Sequence, residues 1–179
     1  MVNNLKDLSE AVIEEYLISV ETCLDKRRKR GLLGYPATLL LLCTIDAMGH
    51  GLLTANGQKT RLDVLTQSPF NLKLTPTQVD NLTSWYRHLL AHTATMAPNA
   101  FLLPDTQGQP FDFDTSGALT VIRVPVLYKV VKAAWESRNK SAFNPPQPHP
   151  NKPLPNPSAQ SFGFPSAMTS GVSGIHHKP

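Results

Sequence analysis

One arginine and two histidines lie within a short stretch of sequence, WYRHLLAH, that is otherwise rich in leucine and aromatic residues. His88 and His92 are four residues apart, so on a helix both project from the same face, a spacing at which two imidazoles can bind one zinc ion. A zinc protease requires a glutamate directly after the first histidine, and Leu89 occupies that position. The stretch therefore does not predict a metalloprotease.

Other types of catalytic site find little support in the sequence. Asp46 and His50 are also four residues apart, and they would join a metal site only if their helix faces WYRHLLAH. No cysteine or glutamate is placed to complete the ligand set. The chain has no GxSxG motif and no glycine-rich phosphate loop. We therefore expect no metal and no cofactor, which leaves chemistry built from arginine and histidine.

Arg87 and His92 are a workable pair for cleaving RNA without a metal. Histidine titrates near neutral pH and can transfer a proton, while the planar guanidinium can bind phosphate oxygens through two hydrogen bonds. They are five positions apart in the chain, which places them about 140° apart around a helix axis, so a two-fold dimer would bring them together better than one chain. The alternative is that Arg87 and both histidines form the hydrogen-bonded polar edge of a core helix.

Hydrophobic periodicity predicts four principal helices that would hold these residues in place. Their predicted starts are near Asp7 or Ser9, at Pro36, at Thr75-Pro76 and at Pro125. The second, PATLLLLCTIDAMG, is apolar on nearly every side, as is typical of a central helix, and is expected to stop at Gly49. A short helix is expected around residues 61–66, and the segments 101–103 and 111–113 suggest a minor hairpin or an irregular loop. The predicted fold is an all-α bundle of four to five helices.

Two short stretches of the chain resemble a known family. Arg87, four intervening residues and His92 resemble the R-x(4 to 6)-H motif of the HEPN superfamily (higher eukaryotes and prokaryotes nucleotide-binding), with His88 in the polar position after the arginine. LLLLCTIDAMG resembles the "IDA(L)G" helix that precedes this motif in some bacterial HEPN-like proteins, and WYR resembles their "LYR". In layout the resemblance covers about residues 5–140.

The resemblance implies an all-helical, dimeric protein that acts on RNA. Many HEPN proteins are metal-independent endoribonucleases of toxin-antitoxin and defence systems, so it implies Arg87 and His92 as the catalytic pair, with His88 orienting them or contacting phosphate. An antitoxin protein would then be a further partner. Other HEPN domains have lost cleavage and serve as RNA-binding or protein-interaction modules, which is the alternative function.

A block of five basic residues accounts for the positive charge of the chain. The net charge is +4, and without Lys26, Arg27, Arg28, Lys29 and Arg30 the chain is about neutral. Such a block at the end of a helix is typical of a solvated terminus that complements the helix dipole. The alternative is that the block contacts the phosphates of RNA, and we take it as the candidate RNA-binding segment.

The C-terminal part of the sequence has the composition of a disordered tail. Nine of the sixteen prolines and no acidic residue lie between residues 144 and 179, in a run of Asn, Gln, Ser and Gly. Such a segment buries too little apolar surface to offset the entropy of the chain. We therefore predict a HEPN-like domain at residues 3–141 and a disordered, proline-rich tail at residues 142–179.

The sequence also favours a cytoplasmic protein with no membrane segment. Cys23 and Cys43 lie in apolar helical patterns and form no disulfide framework. The N-terminus lacks the layout of a signal peptide. The longest apolar run, residues 37–45, is about half of what a membrane span needs.

Overall fold

The computed structural model describes residues 5–26, 33–53, 61–91 and 100–144, without the side chains of residue 5 and residues 87–91. Four α-helices, one 3₁₀ helix and three strands form this part of the chain. They are α1 (Leu5–Asp25), α2 (Gly34–Leu52), the 3₁₀ helix (Arg61–Thr66), α3 (Pro76–Ala91), β1 (Phe101–Leu103), β2 (Phe111–Phe113), β3 (Leu119–Arg123) and α4 (Val124–Ser137). The four principal helices therefore form where the periodicity predicts them.

Helix α2 is the central element of the described structure. It contacts the three other α-helices, the 3₁₀ helix and strand β1. Its fully buried hydrophobic residues are Ala37, Leu41, Leu42, Ile45 and Met48. The prediction of a central helix is thus confirmed. The predicted stop at Gly49 is wrong, because the helix continues to Leu52 and Gly49 lies within it.

Helix α3 begins with a reciprocal cap that its sequence predicts. The backbone N–H of Thr75 donates to Gln78 Oε1 at 2.9 Å, and the N–H of Gln78 donates to Thr75 Oγ1 at 3.3 Å. This pair satisfies backbone donors at the helix start, where Pro76 has no N–H to leave unpaired. Val79 and Leu82, which are three residues apart and so lie on one face of the helix, are buried in the core.

The prediction of an all-α fold is wrong, because the three strands form a mixed sheet in the order β1-β3-β2. Strand β3 pairs in parallel with β1 and antiparallel with β2. The predicted hairpin would pair the first two strands with each other, whereas each pairs with β3 instead. Thr120, Val121 and Ile122 favour a strand because they are β-branched. The next residue after Arg123 already begins α4, so no turn residues mark the end of this strand in the sequence.

The sheet helps to position α3. Asn81 Nδ2 donates to the carbonyl of Gly117 at 2.7 Å, which ties the helix to the turn between β2 and β3. Gly117 has a φ of +83°, a conformation that favours glycine. Asp114 closes the same turn, because its Oδ1 accepts from the N–H groups of Ser116 and Ala118 at 2.8 and 2.9 Å. Helix α3 is therefore held by the sheet at its first half.

The packed structure continues past the end of α4. Phe143 is 2% exposed and packs edge-to-face on Trp135, with ring centroids 5.4 Å apart. The N–H of Asn144 donates to the carbonyl of Gly51 at 2.8 Å, which fixes this segment to the end of α2. The predicted tail lies outside the described residues from residue 145 onward.

Candidate functional site at the end of helix α3

The structure describes the sequence-predicted site residues only in part. Arg87 and His88 lie on the backbone of α3 near its end at Ala91, and their side chains are outside the described set. His92 also lies outside the described residues, as do residues 27–30 of the basic block. Lys26 is exposed directly after α1. What the structure supplies is the frame that holds the end of α3.

Two aromatic side chains anchor α3 immediately before Arg87. Trp85 and Tyr86 are each 7% exposed. Aromatic residues of this size bury about 150–250 Å² each, so they contribute strongly to packing. Tyr86 Oη donates to Cys43 Sγ of α2 at 3.7 Å, which links α3 to the central helix. Trp85 Nε1 is buried and has no hydrogen-bond partner among the described residues.

A charged pair lies one turn further along α2 from Cys43. Arg61 Nη1 donates to Asp46 Oδ2 at 3.0 Å, with side chains that are 53% and 29% exposed, respectively. His50 follows Asp46 by four residues and lies on the same face of α2. Cys43, Asp46 and His50 thus form a polar edge along a largely apolar helix. Arg61 contacts this edge through Asp46.

Gly49 explains how Arg61 reaches this edge. A Cβ built at Gly49 would lie 2.0 Å from the carbonyl oxygen of Arg61 and 2.8 Å from its carbonyl carbon. Only a residue without a side chain allows the 3₁₀ helix to approach the α2 backbone this closely. The missing Cβ therefore sets where Arg61 stands relative to Asp46 and His50.

The environment of this edge shifts the pKa values of three groups. Burial, with the hydrogen bond to Cys43 and the charge of Asp46, raises the pKa of Tyr86 above its ordinary value, so its hydroxyl stays protonated as a donor. Burial raises the pKa of the Cys43 thiol as well, although the bond from Tyr86 opposes this. Burial and then the charge of Arg61 lower the pKa of His50, while Asp46 opposes the shift. Cys43 is therefore poorly suited as a nucleophile, and His50 is neutral at pH 7.

The metal site that Asp46 and His50 could have joined has no support in the described ranges. No group of three or more His, Cys, Asp or Glu side chains that could hold a metal ion occurs there. The Asp46 carboxylate is paired with Arg61 instead. The contribution of His88 and His92 to such a site lies outside the described side chains.

Sequence reasoning missed Arg61 and the role of Tyr86. Arg61 follows residues 54–60, which lie outside the described ranges, and no spacing rule links it to Asp46. A usable signal is the glycine within the apolar helix, since an isolated glycine in a helical pattern often has a packing reason. Tyr86 enters the sequence analysis only as the middle letter of WYR, and nothing in the sequence indicates its hydrogen bond to Cys43.

Comparison of the chain with protein-family models, with curated proteins and with solved structures gave no match. None of the helices in the described ranges combines the length and the apolar content that a membrane crossing requires. The fold and the polar edge of α2 are therefore the observations from which a function must be argued.

Proposed function

We propose that this chain is a cytoplasmic, RNA-directed protein of the HEPN type that cleaves RNA without a metal. In this proposal the end of α3 presents Arg87 and His92 as the catalytic pair, with His88 orienting them or contacting phosphate. The basic block that begins at Lys26 supplies further contacts to the RNA backbone.

A contact between the two stretches that resemble the family carries the proposal. Tyr86 belongs to WYR and Cys43 to LLLLCTIDAMG, and their side chains are hydrogen-bonded at 3.7 Å. The two residues are 43 positions apart in the chain, so the two stretches are neighbours in space but not in sequence. The proposal requires this arrangement, because the helix that carries the motif must pack on its companion helix.

The three-stranded sheet departs from the purely helical fold that the resemblance implies. It enters the chain between α3 and α4, after the residues that carry the motif. Helix α2 contacts α1, α3 and α4 directly, and the sheet adds further contacts to α2, α3 and α4. The sheet is therefore an addition that supports the helices around the proposed site.

The chemistry follows from the residue types. His92 in its neutral form can accept the proton of a ribose 2′-hydroxyl as that oxygen attacks the adjacent phosphorus, and a second histidine can return a proton to the leaving 5′-oxygen. The guanidinium of Arg87 can stabilise the charge that develops on the phosphate oxygens. The products are a 2′,3′-cyclic phosphate and a 5′-hydroxyl, and no step requires a metal.

A homodimer is part of the proposal because Arg87 and His92 point in different directions from a single helix. Arg87 and His92 are about 140° apart around a helix axis, so two copies of α3 at a two-fold interface would bring an arginine of one protomer near a histidine of its partner. Light scattering of the 19.7 kDa chain should then give twice this mass at micromolar concentration.

The direct test is to incubate the purified protein with a single-stranded RNA in EDTA and to identify the ends of any fragments. The proposal predicts 5′-hydroxyl and 2′,3′-cyclic phosphate ends. Ser84→Ala is the matched control, because Ser84 is an exposed residue of the same helix. Binding without cleavage would favour the non-catalytic RNA-binding module. If the protein neither binds nor cleaves the RNA, the result contradicts an RNA-directed function.

A further inference from the structure

Arg61 has hydrogen-bonding capacity that its ion pair leaves free. A guanidinium has two edges that can each donate two hydrogen bonds. The hydrogen bond to Asp46 uses Nη1, one of the three nitrogens of the guanidinium. The side chain is 53% exposed, so solvent or a ligand can reach it. The ion pair with Asp46 does not use the edge formed by Nε and Nη2, which has the geometry to bind a planar or tetrahedral anion.

The position of Arg61 is fixed without strong help from its ion pair. An exposed pair such as Arg61–Asp46 contributes little to stability. The close approach of the 3₁₀ helix to Gly49, with Leu62 and Leu65 buried beneath it, sets the backbone of Arg61 instead. The backbone position of Arg61 therefore does not depend on the ion pair.

Arg61 also lies beside the end of α3. Asp46 is one turn, about 5 Å along the axis, from Cys43, and Cys43 contacts Tyr86. Tyr86 directly precedes Arg87 in the chain. His50 lies one turn beyond Asp46 on the same face and is only partly buried. An arginine and a histidine therefore occupy the surface next to the proposed catalytic helix.

We propose that Arg61 and His50 form a phosphate-binding subsite for RNA, next to the end of α3. The inference rests on the proposed RNA-directed function and assigns it two residues outside the WYRHLLAH stretch. Arg61 binds a backbone phosphate through the edge formed by Nε and Nη2. The neutral imidazole of His50 donates or accepts a hydrogen bond at the same nucleotide.

The test measures binding of a fluorescein-labelled, single-stranded 2′-O-methyl RNA of about 20 nucleotides, long enough to cover a typical site. The 2′-O-methyl group prevents cleavage, so only affinity is read. Fluorescence anisotropy is followed in EDTA between about 50 and 200 mM salt, because each phosphate contact on a single strand contributes about 0.7 to the slope of log K against log salt. Arg61→Gln is compared with Lys129→Gln, which removes one positive charge from an exposed position on α4.

Arg61→Gln should weaken binding about tenfold, as expected for loss of a hydrogen-bonded charge, and should lower the salt slope by about 0.7. His50→Ala should weaken binding by a smaller factor and leave the slope unchanged, because a neutral imidazole displaces no counterion. Lys129→Gln should change neither quantity appreciably. A second variant, Arg61→Lys, keeps the charge and should retain the slope while losing part of the affinity.

Failure of the subsite and failure of the function give different results. If Arg61→Gln behaves as Lys129→Gln does while Arg87→Ala weakens binding, the subsite is refuted and the RNA-directed function stands. If the wild-type chain binds no RNA, both are refuted. A thermal melt of each variant accompanies the titration. Should Arg61→Gln fail to fold, the Arg61→Lys titration decides, and wild-type affinity for that variant would overturn a role for the guanidinium.

Discussion

Replacing Gly49 with alanine places a methyl group where the backbone of Arg61 lies. The added Cβ would be 2.0 Å from a carbonyl oxygen and 2.8 Å from the carbonyl carbon, and neither atom can rotate away as a side chain could. Overpacking of a close contact typically costs about 1–3 kcal/mol, and a backbone contact lies at the upper end of that range. Alanine recovers about 1 kcal/mol through its better helix propensity. The net expectation is a loss of about 2 kcal/mol in the free energy of unfolding.

Thermal and urea denaturation of Gly49→Ala and Gly34→Ala test this expectation. For a domain of this size, about 1 kcal/mol corresponds to roughly 4 °C in Tm, so Gly49→Ala should melt about 8 °C lower. Gly34→Ala is the matched control in the same helix, because its Cβ would meet Leu102 at an ordinary 3.6 Å. It should melt within a degree or two of the wild type or slightly above it. A Tm for Gly49→Ala at or above that of the wild type would refute the packing of the 3₁₀ helix on α2.

Three further substitutions test the frame of the fold. Asp112→Asn breaks a bidentate ion pair with Arg123, whose two hydrogen bonds are 2.7 and 2.6 Å long. Because the pair is partly exposed, its loss should lower the free energy of unfolding by only about 1 kcal/mol. The hydrogen bond from Arg123 lowers the pKa of Asp112. Its contribution to stability is therefore present above the ordinary carboxyl pKa and is lost as the pH falls through the lowered pKa. The urea midpoints of the variant and the wild type should converge in acid. Glu10→Gln leaves the guanidinium of Arg138, whose side chain is 4% exposed, without its counter-charge and should cost about 2–3 kcal/mol in the same assay. Phe143→Ala should lower the free energy of unfolding by about 3 kcal/mol, and a wild-type melt would place this residue outside the core.

The helices are predictable because each carries a local signal. Apolar residues recur at helical spacing, and Thr75 with Gln78 forms the cap that its letters indicate. The sheet is not predictable in this way. Phe101 pairs with Val121 in parallel, a contact between segments that are distant in the chain and leave no short-range pattern. The strands at its edges are three residues long, too short for alternation to show.

The candidate site is predictable only where its letters form a motif. Residue type and spacing predict that Arg87, His88 and His92 act together at one site. Arg61 joins the polar edge of α2 through a close backbone approach at Gly49. That approach depends on tertiary packing, which periodicity does not encode.

The central claim is that the end of α3 acts on RNA, and its most direct test is single-turnover cleavage in EDTA by Arg87→Ala and His92→Ala beside a thermal melt of each. The claim predicts that each variant loses about 100-fold or more in rate, because one lacks charge stabilisation and the other proton transfer, while both melt like the wild type. Ser84→Ala, exposed on the same helix, should cleave at the wild-type rate. Cleavage at the wild-type rate by Arg87→Ala would contradict the claim. An inactive wild-type protein whose His92→Ala variant loses about 1–3 kcal/mol in stability would also contradict it, and would favour a purely structural edge of the helix.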